Sequence, residues 1–147
     1  YYKIEVTDAS TVANEVTITA TNDNDANRKA TVTLTLIDPA VKLENPTGGV
    51  APTLSGTTVT LPSTFKQFDV SSFDIVAPKG STITCASSAW FTCTAPAGGS
   101  ATIDASKKQT ITLMGGDQAT TDDVTITVHN SVTNADETIT VTKAAAP

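Results

Sequence analysis

The amino-acid sequence predicts an all-β sandwich, and three observations support this fold class. Apolar and polar residues alternate with period two along most of the chain, as expected when one face of each strand is buried. Threonine accounts for 29 of the 147 residues, and its branched Cβ suits the pleated surface of a strand. Turn-forming residues recur at intervals of about 8–12 residues, which favours a sandwich or barrel over a sheet with crossover helices.

The alternation predicts the strands in chain order. Polar or glycine-rich turns at 21–27, 78–80, 97–99 and 115–117 separate the apolar segments, and a Pro/Gly-rich stretch at 45–52 divides the early strands from the later ones. Phe65, Phe68 and Val70 form a less regular part of the series. The other apolar positions are Ile4, Val6, Val16, Ile18, Ala20, Val32, Leu34, Leu36, Val59, Leu61, Phe73, Ile75, Ile83, Cys85, Phe91, Cys93, Ile111, Leu113, Val124, Ile126, Val128, Ile139 and Val141.

An internal repeat links the two ends of the chain, at 2–36 and 109–142. The segment VTIT occurs at 16–19 and again at 124–127, an offset of 108 residues. Both copies have the order strand, polar turn, VTIT strand, Asn-rich turn and Thr-rich strand. A repeat of this kind indicates that one supersecondary unit is used twice.

The repeat predicts that a partial unit precedes a complete one. Residues 1–39 would be the last three strands of one sandwich, and residues 41–147 would form a whole second copy. The first unit then lacks the strands that should cover its apolar face, which is an aggregation hazard. Three explanations remain open: a piece of a longer tandem array, a subunit whose strands are completed by a neighbouring chain, or one irregular sandwich formed by all 147 residues.

Two motifs in the second half of the chain carry a family resemblance. They are GSTITCASSAWFT at 80–92 and ETITVTKAAA at 137–146, which follows a turn containing Asn130 and Asn134. Together they resemble a bacterial Ig-like module, most closely the BACON type, although more strands and longer turns follow Trp90 than that type has. The resemblance implies an Ig-like β-sandwich in a secreted or surface protein, used as an appendage or spacer, with carbohydrate binding suggested for the group.

The two cysteines, Cys85 and Cys93, lie eight residues apart in one apolar stretch. If Ala89 is the tip of a hairpin, the two side chains face each other on neighbouring strands, and a disulfide bond between them would favour an oxidising compartment. The alternative is a pair of buried free thiols that pack as small apolar side chains.

The acidic turns contain weak candidates for calcium ligands. Asp23 and Asp25 place carboxylate oxygens close together in one turn, and Asp122 and Asp123 lie beside another, but neither run has the spacing of an EF-hand loop. Aspartate is also an ordinary turn-forming residue. The lone His129 follows a predicted strand and is interpreted as a surface turn residue.

Trp90 is the candidate for ligand stacking. It is adjacent to Phe91, so strand alternation places the two rings on opposite faces, and Phe91 shares its parity with the inward Cys93. An exposed Trp90 would stack on a glycan. The other interpretation is that this single tryptophan folds back over the core of a domain with few aromatic residues.

Charge and motif content restrict the classes of function. A net charge of −6 and a pI of about 4.5 argue against binding to nucleic acid or to an anionic membrane. No apolar run approaches the roughly 18 residues that a membrane span needs. The sequence has no Gly-x-Ser-x-Gly, phosphate-binding loop or Cys/His cluster, so catalysis is not expected.

The expected function is that of a non-catalytic structural or adhesive surface module in a tandem Ig-like protein. Its partners would be protein neighbours in an array or assembly, with glycans as a further candidate, and no cofactor is expected apart from the weak calcium candidates. The expected location is extracellular, at a cell surface or at a virion surface. Two alternatives remain open: a self-assembling filament or virion subunit (a capsid or tail decoration) that shares strands between copies, and a carbohydrate-binding module with Trp90 as its platform.

Overall fold

The described part of the chain is predominantly β-structure. The computed structural model describes residues 15–22, 25–35, 37–88, 90–95, 97–116 and 123–147. These ranges contain twelve strands and one short 3₁₀ turn but no α-helix, which confirms the all-β prediction. The chain divides into two compact units, Tyr1–Asp38 and Pro39–Pro147. The strand expected at Ile4 and Val6 lies outside the described residues.

Unit 1 contains an antiparallel hairpin. Its strands are β1 (Glu15–Asn22) and β2 (Asp25–Thr35), and they form a two-stranded sheet within the described residues. Ile18 lies opposite Val32 in the hairpin. The aliphatic pairs alternate with pairs of threonine, so the sequence and register together predict one aliphatic face and one polar face.

Unit 2 contains two sheets. In its described residues, one sheet has the order β3-β6-β10-β8 and the other has the order β4-β5-β12-β11-β7-β9, with β5 and β12 parallel and the other pairs antiparallel. The strands are β3 (Lys42–Gly48), β4 (Thr53–Ser55), β5 (Thr58–Leu61), β6 (Val70–Val76), β7 (Thr82–Cys85), β8 (Phe91–Ala95), β9 (Ser100–Thr102), β10 (Lys108–Gly115), β11 (Val124–Asn130) and β12 (Ala135–Lys143), with the 3₁₀ turn at Ala97–Gly99.

The core of unit 2 lies between these two sheets. Every second residue of the central strands is buried, as period-two alternation requires when one face of a sheet is covered. This arrangement confirms a β-sandwich. The four-stranded sheet contributes Phe73, Ile75, Phe91, Cys93, Ile111 and Leu113, and the six-stranded sheet contributes Val59, Leu61, Ile83, Cys85, Ile126, Val128, Ile139 and Val141.

Two segments differ from the sequence-based expectation. Part of the Pro/Gly-rich stretch at 45–52 belongs to the edge strand β3. Pro46 lies in a bulge of this strand, between Glu44 and Thr47. At a bulge on an edge, the missing N–H of proline removes no ladder hydrogen bond. Phe68 also departs from its apolar series: it lies in the loop before β6 and is 73% exposed.

Candidate functional site

A disulfide bond joins Cys85 and Cys93, and both residues are buried. Cys85 ends β7 in the six-stranded sheet, whereas Cys93 lies in β8 of the four-stranded sheet. The bond therefore connects the two layers of the sandwich. The expectation that the cysteines face each other across a hairpin with its tip at Ala89 is wrong, since β7 pairs with β11 and β9 and β8 pairs with β10.

The segment after Cys85 crosses between the sheets instead of forming a hairpin turn. Its serine hydroxyls accept hydrogen bonds from β8: Ser88 from the N–H of Phe91 at 3.3 Å, and Ser87 from the N–H of Cys93 at 3.3 Å. The N–H of Ser88 donates in turn to the carbonyl of Phe91 at 2.9 Å. These contacts satisfy backbone groups of an edge strand within the same chain.

Trp90 lies in the core and does not offer a stacking surface. It is only 4% exposed, and its ring meets that of Phe91 edge-on, with the ring centroids 4.7 Å apart. Strand alternation did not predict this position because β8 begins at Phe91, and Trp90 precedes it in a bend. Its carbonyl accepts a hydrogen bond from the N–H of Gly116 at 2.8 Å. The packing interpretation of Trp90 is therefore the correct one.

Two of the four calcium candidates lie within the described residues. Asp23 and Asp122 lie outside the described residues, Asp25 is the first residue of β2, and Asp123 is exposed immediately before β11. Within the described part of the chain, no three His, Cys, Asp or Glu side chains form a group that could hold a metal ion. Calcium binding remains a prediction from the sequence.

His129 is an exposed strand residue. Its Nδ1 lies 2.7 Å from Oδ1 of Asp136, its cross-strand partner on β12. Both side chains are well exposed, 47% and 66%. The pair therefore lies on the surface beside the β11–β12 turn, and exposed pairs of this kind contribute little to stability.

A polar cluster that sequence reasoning missed is centred on Asp74 in the four-stranded sheet. Its Oδ2 accepts a hydrogen bond from Nδ2 of Asn45 at 2.8 Å, and its Oδ1 accepts one from the Thr110 hydroxyl at 2.7 Å. The Lys108 ammonium lies 3.3 Å from Oδ2. The only signal in the sequence was an aspartate between the apolar Phe73 and Ile75, and its partners come from strands far away in the sequence.

These partners determine the charge state of Asp74. Burial acts to raise the pKa of its carboxyl group, but the hydrogen bonds from Asn45 and Thr110, with the contribution of Lys108, outweigh burial and hold the pKa below its ordinary value of 3.8. The carboxylate is thus ionised at neutral pH and occupied by protein donors. This arrangement joins β3 and β10 to β6 and is suited to a structural role.

A second group of polar contacts, called the Asn130 clasp below, is formed by the fully buried Asn130 at the end of β11. Its Nδ2 donates to the carbonyl of Pro39 at 2.6 Å and to Oε1 of Glu137 at 3.1 Å, and its Oδ1 accepts from the N–H groups of Val132 and Thr133. One side chain therefore shapes the β11–β12 turn and fixes the first residue of unit 2 against it.

Phe68 is the most exposed large apolar side chain of the described residues, and its backbone is strained. Its φ angle is +68°, in the left-handed region that non-glycine residues rarely adopt. The N–H of Phe68 donates to the carbonyl of Gly115 at 3.0 Å, and the N–H of Asp69 donates to that of Lys66 at 3.1 Å. A Cβ at position 115 would overlap the carbonyl of Lys66, so the loop requires glycine there.

Along the strands, the hairpin of unit 1 has the same register as the β11–β12 hairpin of unit 2, but the two differ beside the turn, where Asn22 pairs with Asp25 after a register shift and Asn130 pairs with Ala135 without one. Ile18 lies opposite Val32 in the first, and Ile126 lies opposite Ile139 in the second. The sequence repeat relates these residues by offsets of 108 and 107. Because the register along the strands follows from the side-chain pattern, this agreement supports the internal repeat. The outer pairs correspond equally: Val16–Leu34 to Val124–Val141, and Thr21–Lys29 to His129–Asp136.

The surroundings of the two hairpins differ. In unit 2, β12 pairs with β5, β11 pairs with β7, and Ile139 is fully buried. Within the described residues of unit 1, β1 and β2 pair only with each other, and Val32 is 56% exposed. The candidate interaction site is called the β2 surface below. It consists of the edge of β2 that faces away from β1 and of the strand face that carries Val32.

The edges of unit 2 are protected against strand addition. β4 and β9, the outer strands of the six-stranded sheet, are three residues long. β3 carries a bulge with Pro46, and β8 is capped by Ser87 and Ser88. Short, bulged or capped edges prevent pairing with other chains. The contrast with β2 makes the β2 surface the distinctive feature of the chain.

No protein-family model, curated protein or solved structure matches this chain. The resemblance to the BACON type of Ig-like module therefore rests on the sequence motifs alone. A search of the described residues for a helix that is long and apolar enough to cross a membrane finds none.

Proposed function

We propose that the chain is a non-catalytic structural or adhesive module of a tandem Ig-like surface protein. The observation that carries this proposal is the shared register of β1–β2 and β11–β12. The hairpin β11–β12 is part of the sandwich of unit 2, and a matching hairpin, β1–β2, precedes that unit in the chain. This order is expected when sandwiches of one type follow each other along a polypeptide.

The internal construction of unit 2 agrees with this role. The disulfide bond, the Asp74 cluster and the Asn130 clasp each fix strands or turns to one another. Disulfides persist mainly in oxidising environments, which supports a location outside the cell, at a cell surface or at a virion surface. Protected edges keep neighbouring modules from pairing indiscriminately.

The second candidate function is a self-assembling filament or virion subunit that shares strands between copies. It is favoured by the exposure of Val32 in a hairpin whose counterpart is buried. The carbohydrate-binding alternative loses its platform because Trp90 is buried, so it is not carried further.

Intact mass and N-terminal sequencing of the native polypeptide test the tandem-module proposal. The expected result is a polypeptide heavier than 15.1 kDa that contains further sandwich repeats with the VTIT hairpin. A native chain that begins at Tyr1 and ends at Pro147 would contradict the tandem proposal and favour the self-assembling subunit.

A further inference from the structure

We propose that the β2 surface is a strand-acceptor site. Its occupant is an extended segment with alternating threonine and branched aliphatic residues, which pairs in parallel with β2 in the register that β5 takes on β12. This inference rests on the proposed tandem-module function and specifies the chemistry of the segment that completes unit 1.

Unit 2 shows how such a hairpin is completed. β5 lies parallel to β12, with Thr58 opposite Thr140 and Val59 opposite Val141. The N–H of Thr140 donates to the carbonyl of Thr57 at 2.9 Å. Strand pairing thus satisfies the outer edge of β12 through backbone hydrogen bonds.

The repeat transfers this register to unit 1. At an offset of 107, Thr140 and Val141 correspond to Thr33 and Leu34 of β2. An incoming strand with the sequence of β5 would therefore place Thr58 opposite Thr33 and Val59 opposite Leu34. The incoming strand alternates threonine with aliphatic residues in step with β2, so its aliphatic residues join the face that carries Val32.

The energetic reason for the site is the small size of the sheet. Three or more strands with an apolar face, or packing against another element, are needed for independent stability in water. The β4–β5 segment would extend the two described strands of unit 1 to the order β4-β5-β2-β1, which corresponds to the β4-β5-β12-β11 part of unit 2. The described part of unit 2 has no comparable edge for an added strand, since its edge strands are short, bulged or capped.

A labelled peptide with the sequence of residues 51–62 (APTLSGTTVTLP) tests the site on the full chain. We expect saturable binding and slower amide hydrogen exchange at Thr33 and its β2 neighbours. A peptide carrying Val59→Asp is the matched control and is expected not to bind. In the protein, Val32→Lys is expected to weaken binding about tenfold or more, because it places a charge on the aliphatic face. Val132→Lys changes another exposed valine, in the β11–β12 turn, and should leave binding unchanged.

Absence of binding at millimolar peptide would overturn the acceptor site. Binding that is unaffected by Val32→Lys, or protection confined to β12, would overturn it as well, because the peptide would then be exchanging into unit 2. Protection of the β2 edge in the chain alone would also overturn it, because that edge would then be paired within the chain and could accept no further strand. The native mass measurement is independent of these outcomes, so the acceptor site and the tandem-module function can fail separately.

Discussion

Val32 and Ile139 occupy the same register position in two matching hairpins, but Val32 is 56% exposed and Ile139 is fully buried. The difference cannot arise from the local sequence, since both strands alternate threonine with aliphatic residues. It arises from the neighbours: β12 has β5 beside it and an opposing sheet over its apolar face. The same local pattern is thus a core element in one unit and a surface in the other.

Truncation of these two side chains should therefore have unequal effects on stability. We expect Ile139→Ala to lower the free energy of unfolding by about 2–5 kcal/mol, because it removes buried methyl groups and leaves a cavity. Val32→Ala should change it by less than about 0.5 kcal/mol. Urea unfolding of both variants measures the difference. A loss of several kcal/mol in Val32→Ala would mean that Val32 is covered in solution.

The disulfide bond should stabilise unit 2 even though it closes a short loop. For a loop of this length, the loss of chain entropy in the unfolded state is worth roughly 2–3 kcal/mol. We expect the double variant Cys85→Ala, Cys93→Ala to lose about that amount in urea unfolding. A reducing agent should destabilise the wild type and leave the double variant unchanged. Equal stability of the wild type with and without reductant would contradict the prediction.

The strands that the sequence predicts correctly are those in which local pattern and tertiary environment agree. In β11, Ile126 and Val128 alternate with threonine and histidine, and the structure buries both of these aliphatic side chains. Period-two alternation is a local property, so it identifies a strand without knowledge of its neighbours. The repeat of the VTIT hairpin is also a local signal, and the prediction of a partial unit followed by a complete one rests on it.

The candidate site residues depend on contacts that no local pattern contains. Whether Cys85 and Cys93 face each other across a hairpin or between two sheets depends on the path of residues 86–90. The alternation of β8 does not determine the side on which Trp90 lies, because Trp90 precedes the first residue of that strand. The partners of Asp74 lie 29 and 36 residues away, on β3 and β10, and only the order of strands in the sheet brings them together.

The Asp74 cluster should make stability depend on pH in the acidic range. The folded protein holds the pKa of this carboxyl group below its ordinary value, so its contribution to stability is present above about pH 4 and is lost as the pH falls through the folded pKa. We expect Asp74→Asn to cost about 1–3 kcal/mol at pH 7, since hydrogen bonds to a charged acceptor are weakened.

The comparison of wild type and Asp74→Asn at two pH values isolates this effect. Urea unfolding at pH 7 should separate the two proteins, and unfolding at an acidic pH well below 3.8 should bring their stabilities closer together as Asp74 becomes protonated. A difference that stays constant between the two pH values would show that Asp74 acts through packing and not through its charge.

The Phe68 loop should respond to substitution in the opposite way from the core. Phe68 has a positive φ and is 73% exposed, so its ring contributes little burial while its backbone is strained. We expect Phe68→Gly to raise the free energy of unfolding by about 1 kcal/mol, because glycine adopts this conformation without a steric penalty. Phe65→Ala, three residues earlier and 2% exposed, should lower it by about 3–5 kcal/mol. Thermal or urea unfolding of both variants measures these changes, and a marked destabilisation by Phe68→Gly would show that the Phe68 ring packs against the folded domain in solution.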